Sequence, residues 1–571
     1  MQNLKRILFV LSYDEKMFLV KILFFLILSL FLEMLSFAII IPVFDIIFLN
    51  NGTNYFFSNY INFFNSNEKF FKIIVLLFVI IIFFFKNIYL ITVNFFTVRF
   101  FNKFNNRISN DLFNMYLKQN YSYFSYNKSE YLLRRLTTDC AGTKFYLNCI
   151  LNLIIEFFFI FGLSMVLLWF HYKIFIFCFS IFLVVSTFYI LVIKTRIKSW
   201  SYEHQDNVGL LQKLIIEGVA GIKDIIIFNL KKLFLKQFAS YSAKSHMSYF
   251  KIDFVNNIQR LWMEVVAIVV IIFPLILFLL FEKPVDNLIP IFALFSIALF
   301  RIIPSVNRLL INFQQVKFYK PSFETTYEQF SEFHNDYIQQ KNNYNLFFKS
   351  YIEFKNLSYR HNKGSKDILH DVNIKILKNS SVAILGENGS GKSTFLDLIS
   401  GLIKPTAGTV SIDSKYNIFD NKISWLNKLS YVQQDIFLLN SSIKNNITLQ
   451  EDADVILDKK FDEISRVLQL DNVFKDFPEK LYTKISKTSI NLSGGQKQLI
   501  SIARALYKDS EVILLDEPNS ALDSNNLALF KDLILSLKGK KTIVMIIHDI
   551  NKFDKCFDSV YQIDGGSINI V

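Results

Sequence analysis

The fold is decided by the stretch Gly386-Glu387-Asn388-Gly389-Ser390-Gly391-Lys392-Ser393-Thr394. An apolar run at 382–385 precedes it and predicts a buried strand, and the residues from 395 to 399 predict a helix start. A strand, a glycine-rich loop and a helix with the spacing G-x-x-x-x-G-K-[ST] are typical of a phosphate-binding P-loop. The alternative is a chance glycine-rich turn. Glycines let backbone N–H groups surround a phosphate, and the helix N-terminus adds partial positive charge. We therefore expect Lys392 to reach the β- and γ-phosphates of a nucleotide and Ser393 to ligate Mg²⁺.

Composition indicates that much of the remaining chain lies in a membrane. The 571 residues allow two or three domains, and 52% of them are hydrophobic, with 64 phenylalanines. The net charge of +14 is compatible with nucleic-acid binding. In a membrane protein, however, excess Lys and Arg lie in cytoplasmic loops that face anionic lipid. We favour the membrane interpretation and expect no nucleic-acid partner. The four cysteines have no metal-ligand spacing.

The first half of the chain predicts six membrane spans. Apolar runs of spanning length begin at roughly residues 18, 71, 147, 173, 261 and 286. The first follows three basic residues and is too long for a cleaved signal peptide. The segments between the second and third spans and between the fourth and fifth are rich in Lys and Arg. The connections 171–173 and 282–284 have one lysine each. Positive charge therefore places the two long segments and both chain ends in the cytoplasm, with the segments as helical extensions whose tips lie near 121–126 and 218–227.

Charged residues inside the apolar runs point to a cavity or to buried partners. They are Glu33, Lys86, Glu156, Glu264 and Arg301. Arg301 and Arg308 are seven residues apart and so share one helix face, and Arg260 begins the fifth span. We expect Lys86, Arg260, Arg301 and Arg308 to line a water-filled cavity and hold an anionic substrate group. The alternative is that they snorkel to the interface or pair with the glutamates.

The second half predicts a nucleotide-hydrolysing domain. Residues 316–349 form a polar linker or helical stalk between a domain at 1–315 and another at 350–571. The apolar strand 511–515 ends in Asp516 and Glu517. Asp516 can hold Mg²⁺, and Glu517 can polarise the attacking water as general base, although Asp-Glu pairs also end ordinary strands. The stretch Leu492-Ser493-Gly494-Gly495-Gln496 begins a second helix able to bind an anion. Because two such helix starts cannot easily serve one phosphate, we expect a composite site completed by a second copy.

The motif LSGGQ between this P-loop and this strand resembles the ATP-binding cassette (ABC) transporter family. Six spans before one cassette resemble the type IV exporters, which work as dimers of half-transporters. The resemblance implies a membrane all-α six-helix transmembrane domain followed by an α/β P-loop NTPase cassette. It also implies ATP and Mg²⁺ as cofactors, a homodimer, and a bacterial cytoplasmic (inner) membrane location with the cassette in the cytoplasm.

The resemblance also assigns roles to individual residues. Glu517 is the catalytic base, and His548 is the switch histidine that contacts the γ-phosphate. Ser393, Gln434 and Asp516 are the metal-site residues. The nucleotide-binding residues are Tyr359, which stacks on adenine, Gly386, Asn388, Gly389, Ser390, Gly391, Lys392, Ser393, Thr394, Gln434, Ser493, Gly494, Gly495, Gln496 and Asp523. Gln433, Leu499 and the segment 484–489 depart from the family pattern, which puts coupling in doubt but removes no catalytic group.

Within the exporters, the sixth span resembles the bacterial lipid-linked oligosaccharide flippases of the PglK type. Its stretch Phe300-Arg301-Ile302-Ile303-Pro304-Ser305-Val306-Asn307-Arg308 carries the likeness, supported by Glu33, Lys86 and Glu264 and by a polar-aromatic stretch at 50–71. The cations would then receive the pyrophosphate of a polyprenyl-linked glycan, since arginine matches phosphate geometry. The alternative substrates are a lipid A-like lipid, a peptide or a drug. A different class of interpretation is an inactive or regulatory ABC protein, or a P-loop ATPase tethered to a membrane.

Overall fold

The computed structural model describes residues 2–48, 68–280, 289–339, 346–360, 366–450, 459–485, 492–553 and 555–571. Its contacts divide the chain into two compact units. The first comprises Met1–Gln119 and Asn127–Asn335, and the second comprises Asn120–Tyr126 and Asp336–Val571. The predicted tip at 121–126 therefore belongs to the compact unit that contains the cassette.

In its described residues, the first unit consists of helices joined by short turns. Its elements are α1 (Gln2–Val10), α2 (Tyr13–Phe48), α3 (Glu68–Leu117), α5 (Ser129–Arg134), a π-helical turn (Arg135–Asp139), α6 (Cys140–Ala220), α7 (Ile222–Ile227), α8 (Lys231–Leu280) and α9 (Ile289–Gln339). The short helix α4 (Tyr121–Tyr126) lies in the second unit. The polar segments after the second and fourth predicted spans are helical, as expected. Helix α9 continues through the predicted stalk as far as Gln339.

Three described helices are long and apolar enough to cross a membrane, namely Tyr13–Ser36, Ile73–Leu117 and Ser129–Met165. They correspond to the first three predicted spans, and the six-span count stays a prediction. The expected connection at 171–173 is wrong at the level of the backbone, because α6 is helical from Cys140 to Ala220 without interruption. Its three residues, His171, Tyr172 and Lys173, include no glycine or proline, so none of them breaks a helix. The connection at 282–284 and most of the stretch 50–71 lie outside the described residues.

Close packing between helices stabilises the parts of the helical unit that extend beyond the predicted spans. Phe104, Ile108 and Leu112 are fully buried at four-residue spacing, so they form one stripe of α3. Helices α6 and α9 approach closely at Gly142, where an added Cβ would lie 2.6 Å from Cβ of Ser322. Thr143 donates to the Thr326 hydroxyl at 2.9 Å in the same contact, so this buried interface is partly polar.

The cassette contains two sheets. The first, in the order β2-β1-β4-β5, is antiparallel, and the second has the order β10-β9-β3-β8-β7-β6. The strands are β1 (Tyr351–Tyr359), β2 (Leu369–Leu377), β3 (Ser381–Gly386), β4 (Ala407–Ile412), β5 (Tyr416–Asn417), β6 (Leu429–Val432), β7 (Val512–Asp516), β8 (Thr542–Ile546), β9 (Ser559–Asp564) and β10 (Ser567–Ile570). Strands β3, β6, β7, β8 and β9 run parallel to their neighbours, and β10 is antiparallel to β9. The carboxyl ends of four parallel strands, β3, β6, β7 and β8, therefore meet at one edge.

Helices cover the second sheet and complete the cassette. They are α10 (Lys392–Ser400), α11 (Lys422–Asn427), α12 (Ile443–Thr448), α13 (Lys459–Val467), α14 (Leu470–Val473), α15 (Gly494–Lys508) and α16 (Ser524–Leu537). Short 3₁₀ turns lie at Lys480–Tyr482 and Ile550–Phe553. Phe354, Phe395 and Trp425 are almost fully buried in the core between the two sheets. The predicted α/β cassette fold is confirmed.

Candidate functional site

The P-loop connects β3 to α10. Its last residue before the helix is Gly391, whose backbone conformation favours glycine. Gly391 precedes the helix with φ +101°, and a Cβ there would lie 2.9 Å from the Ile368 side chain. The ammonium of Lys392 donates to the carbonyl oxygens of Gly386 at 2.8 Å and Glu387 at 2.9 Å. An ammonium has three donors, so one N–H remains available for a phosphate oxygen. Two hydrogen bonds from Lys392 therefore hold the loop in this turn.

Asp516 has the surroundings of a magnesium ligand. It ends β7 with 5% of its surface exposed, and it accepts a hydrogen bond from the Ser393 hydroxyl. Burial raises the pKa of the Asp516 carboxyl, and the Ser393 bond opposes that rise. Its Oδ1 atom is buried without a hydrogen-bond partner in the described part of the chain. A bare carboxylate oxygen beside a hydroxyl is the donor set that Mg²⁺ takes, so Ser393 and Asp516 fit the ion.

Glu517 lies where three of the meeting strands end. Its Oε1 is 2.8 Å from Nε2 of His548, which follows β8, and its Oε2 accepts from Nε2 of Gln434 at 3.0 Å, which follows β6. Its backbone has φ +47°, a left-handed conformation that costs a non-glycine residue about 1–2 kcal/mol. The sequence predicted each of these residues separately, and the structure brings all three together.

The LSGGQ stretch forms a capped helix start. Ser493 is the N-cap of α15, and its hydroxyl accepts from the Gln496 backbone N–H at 3.2 Å. The Gln496 side-chain oxygen in turn accepts a hydrogen bond from the Ser493 backbone N–H at 2.9 Å, which completes a capping box. A Cβ at Gly495 would lie 2.8 Å from the Ala521 carbonyl oxygen, so this glycine lets the helix start touch the loop after β7.

Two further predicted residues have structural partners. Asp523 caps α16 by accepting from the Asn526 N–H at 2.8 Å. Tyr359 ends β1 and is buried in the core cluster of the cassette. The nucleotide contacts assigned to both residues stay predictions, as do those of Asn388, Gly389 and Thr394.

A half-buried pair beside the P-loop was missed by the sequence analysis. The Tyr431 hydroxyl donates to Oδ1 of Asp397 at 3.3 Å, and the charge of Asp516 lies close to the same hydroxyl. Burial raises the pKa of Asp397 to about 6, and the charge of Asp516 adds to the rise. Burial also raises the pKa of Tyr431. The one available signal was an aspartate within the apolar stretch 395–399 of the P-loop helix.

The charged residues of the spanning unit are mostly paired. Arg308 donates to both carboxylate oxygens of Glu156, and Arg260 donates to Glu264 at 3.4 Å on the same helix. Lys86 is 4% exposed, and its ammonium lies 4.6 Å from the ring centre of Phe83. The Arg301 side chain lies outside the described residues. For Arg260 and Arg308, the structure has the glutamate pairing that the sequence analysis held as the alternative.

Comparison with known proteins matches both halves of the chain. Residues 369–520 match the family model "ABC transporter", and residues 19–302 match "ABC transporter transmembrane region". The heterocyst differentiation ATP-binding protein HepA of Nostoc sp. is 25% identical over 483 residues, which cover 81% of this chain and 75% of HepA. The ATP-dependent lipid A-core flippase of Pseudoalteromonas translucida is 32% identical over 223 residues, or 38% of each chain. The fold resembles a bacterial Atm1-family ABC exporter with ATP bound, with a TM-score of 0.79, 14% identity, and coverage of 96% of this chain and 94% of that one.

Proposed function

Because this chain is an ABC transporter with a transmembrane region ahead of its ATP-binding cassette, we propose that it is an ATP-driven lipid flippase. Its proposed substrate is a polyprenyl-pyrophosphate-linked oligosaccharide, which moves from the inner to the outer leaflet of a bacterial cytoplasmic membrane. A homodimer would carry out the transport. Each nucleotide would bind between the P-loop of one copy and the LSGGQ helix start of the other.

The hydrogen bonds of Glu517 are the observation that carries the proposal of hydrolysis. A carboxylate held by both Gln434 and His548 is fixed in orientation, and each oxygen keeps a second lone pair for water. Positioned in this way, Glu517 can accept a proton from the attacking water. Mg²⁺ bound at Ser393 and Asp516 would neutralise charge on the phosphates. Lys392 and the backbone N–H groups of the loop would hold the γ-phosphate in line for attack.

The tip helix α7 provides the proposed link to a cassette. Its apolar side chains Ile222, Ile226 and Ile227 are exposed in the chain, and contiguous exposed apolar side chains mark interaction surfaces. We propose that they cover part of a cassette surface in the dimer, so that closure of the two cassettes moves the spanning helices.

Charged and amide side chains inside the spanning helices support a substrate with a polar head. Such groups are costly at membrane depth unless they face a partner or a cavity. An uncharged drug would gain little from them, so a lipid with a large polar head is favoured. A lipid A-like substrate is the second candidate, since a relative that matches 38% of this chain is named a lipid A-core flippase.

The test is lipid transfer across proteoliposomes that contain the full-length chain. Wild type should transfer a prenyl-pyrophosphate oligosaccharide with ATP, and Glu517→Gln should not. Glu479→Gln, an exposed glutamate elsewhere in the cassette, should transfer at the wild-type rate. ATP hydrolysis without transfer of this lipid, but with transfer of lipid A, would favour the second candidate. Transfer of neither would overturn the flippase proposal.

A further inference from the structure

A further carboxylate lies next to the two residues that fit Mg²⁺. Asp397 is on α10, four residues after Ser393, so the two side chains share one face of that helix. Tyr431 of β6 pairs with Leu514 of β7, and Asp516 follows Leu514 by two residues, so it lies on the same face of the sheet. Helix α10 packs against this face. The fold therefore brings the carboxyl of Asp397 toward that of Asp516.

A hydrogen bond from Tyr431 orients the Asp397 carboxyl. The hydroxyl donates to Oδ1 of Asp397 at 3.3 Å, and both side chains are half-buried. The charge of Asp516 adds to the raised pKa of Asp397, so the two carboxylates are close enough to repel each other. The hydroxyl fixes the direction of the Asp397 carboxyl but leaves its charge in place.

This side of the site is short of positive charge. Among the residues that the structure describes, none forms an ion pair with Asp397. The charges of Glu517 and Lys392 act on Asp516, and the Lys392 ammonium already donates to two carbonyl oxygens of the loop. Three carboxylates therefore lie near one ammonium, which leaves the surroundings negative when all of these groups are ionised.

Such surroundings distinguish two forms of the nucleotide. ATP without a metal is a polyanion, and bound Mg²⁺ cancels part of its charge. A fixed carboxylate beside the metal position repels the metal-free form and attracts the metal. Specificity is a difference of two affinities, and repulsion of the wrong ligand contributes to it as much as attraction of the right one.

We propose that Asp397 makes the cassette discriminate between Mg²⁺-bound and metal-free ATP, with Tyr431 as the residue that positions its carboxylate. Asp397 acts through its charge beside Asp516, and no direct contact with the metal is required. A cassette with this preference is seldom occupied by a nucleotide that it cannot hydrolyse. The inference rests on Ser393 and Asp516 as the magnesium site and is independent of which lipid is transported.

The experiment measures equilibrium binding of a radiolabelled, non-hydrolysable ATP analogue to the full-length chain in detergent. Each variant is measured once with Mg²⁺ and once with EDTA, and the ratio of the two affinities is the contribution of the metal. Asp397→Asn removes the charge but keeps an acceptor for the Tyr431 hydroxyl, and Asp397→Glu keeps the charge. Tyr431→Phe removes the hydroxyl alone. Asp532→Asn is the control, since it removes an exposed carboxylate of α16.

The ratio should fall about tenfold in Asp397→Asn, chiefly because the metal-free analogue binds more tightly. Asp397→Glu should keep most of the ratio, and Asp532→Asn should behave as wild type. Tyr431→Phe should lower the ratio less than Asp397→Asn does, because the charge is still present. The double variant should fall no further than Asp397→Asn alone, since Tyr431 acts through that carboxylate. A merely structural role would weaken binding equally in Mg²⁺ and in EDTA and leave the ratio unchanged.

Two results would overturn this inference alone. One is an unchanged ratio in Asp397→Asn while wild type clearly prefers the metal-bound analogue. The other is an equal fall in Asp532→Asn, which would assign the effect to net charge and not to the position of Asp397. If wild type binds the analogue equally in Mg²⁺ and in EDTA, the metal makes no contribution to binding and the inference fails with it. The transfer assay with ATP decides the proposed function separately in each case.

Discussion

Replacing Asp397 with asparagine should stabilise the cassette at alkaline pH, and the gain should shrink as the pH falls. The carboxyl is half-buried and lies near Asp516, and these surroundings raise its pKa from 3.8 to about 6. A raised pKa means that the folded state binds the proton more tightly than the unfolded state does. Ionised Asp397 therefore destabilises the fold above pH 6, and this penalty disappears below about pH 4. Asparagine keeps an acceptor for the Tyr431 hydroxyl but has no charge.

The size of the effect follows from the shift. About two pKa units at 1.36 kcal/mol each give a penalty of about 3 kcal/mol at pH 8 as an upper value, since solvent still reaches part of the side chain. At pH 5 the folded state is mostly protonated at this site, and about half of the penalty remains. The Asp397→Asn variant should gain these amounts in free energy of unfolding.

Trp425 is a suitable reporter because it lies next to the affected helix. It is fully buried, and its indole N–H donates to the Ile399 carbonyl oxygen at 2.8 Å. Replacing Trp169, Trp200 and Trp262 by phenylalanine leaves it as the one tryptophan of the chain. Urea unfolding of the full-length chain in detergent, without nucleotide or Mg²⁺, can then be followed by its emission at pH 8 and pH 5.

Asp413→Asn is the matched control of opposite sign. Although burial raises the pKa of Asp413, three backbone N–H groups at 2.7 to 2.9 Å outweigh it, and the pKa falls below 3.8. Ionised Asp413 therefore stabilises the fold above its unfolded pKa, so its asparagine variant should lose stability at pH 8. The reasoning is refuted if Asp397→Asn is no more stable than wild type at pH 8, or if its gain is equal at both pH values.

Three further changes test the candidate nucleotide site and the ion pair between Glu156 and Arg308. His548→Ala removes the 2.8 Å contact to Glu517, the proposed general base; kcat for ATP should fall about 10²–10⁴-fold while nucleotide affinity is kept, and an unchanged kcat would remove the histidine from the mechanism. Gly495→Ala places a Cβ 2.8 Å from the Ala521 oxygen; it should lower unfolding stability by about 1–3 kcal/mol in thermal melts, and a wild-type melt would show that the loop yields freely. Glu156→Gln should destabilise the helical unit by up to about 3 kcal/mol, since it leaves the guanidinium without its counter-charge. The double exchange Glu156→Arg with Arg308→Glu should restore folded yield, and failure to do so would argue against a structural ion pair.

The local geometry of the P-loop turn and of the capped LSGGQ helix start could be predicted because its determinants are local in sequence. The P-loop, the Asp516–Glu517 pair and the capped LSGGQ helix each depend on a few adjacent residues and one neighbouring element. Their convergence then follows from topology, because the carboxyl ends of parallel strands share one edge of a sheet. The bonds from Gln434 and His548 to Glu517 were not themselves predicted, because the sequence analysis assigned these two side chains to Mg²⁺ and to the γ-phosphate.

Pairs between distant residues could not be predicted in this way. Tyr431 and Asp397 are 34 residues apart, and Arg308 and Glu156 are 152 apart. The sequence shows that a buried charge needs a partner, but several glutamates could serve, and only the packing of the helices selects one.

The capping box of α15 has a consequence for how two copies assemble. Ser493 and Gln496 already satisfy each other's backbone N–H groups, so this helix end is ordered in the single chain. Docking onto a second copy would therefore add no entropic cost for ordering the motif. The same hydroxyl would, however, have to divide its bonding between its own helix and the other copy's nucleotide. We expect this competition to keep the closed dimer weak enough to reopen once the γ-phosphate has gone, so the internal bond favours turnover over tight association.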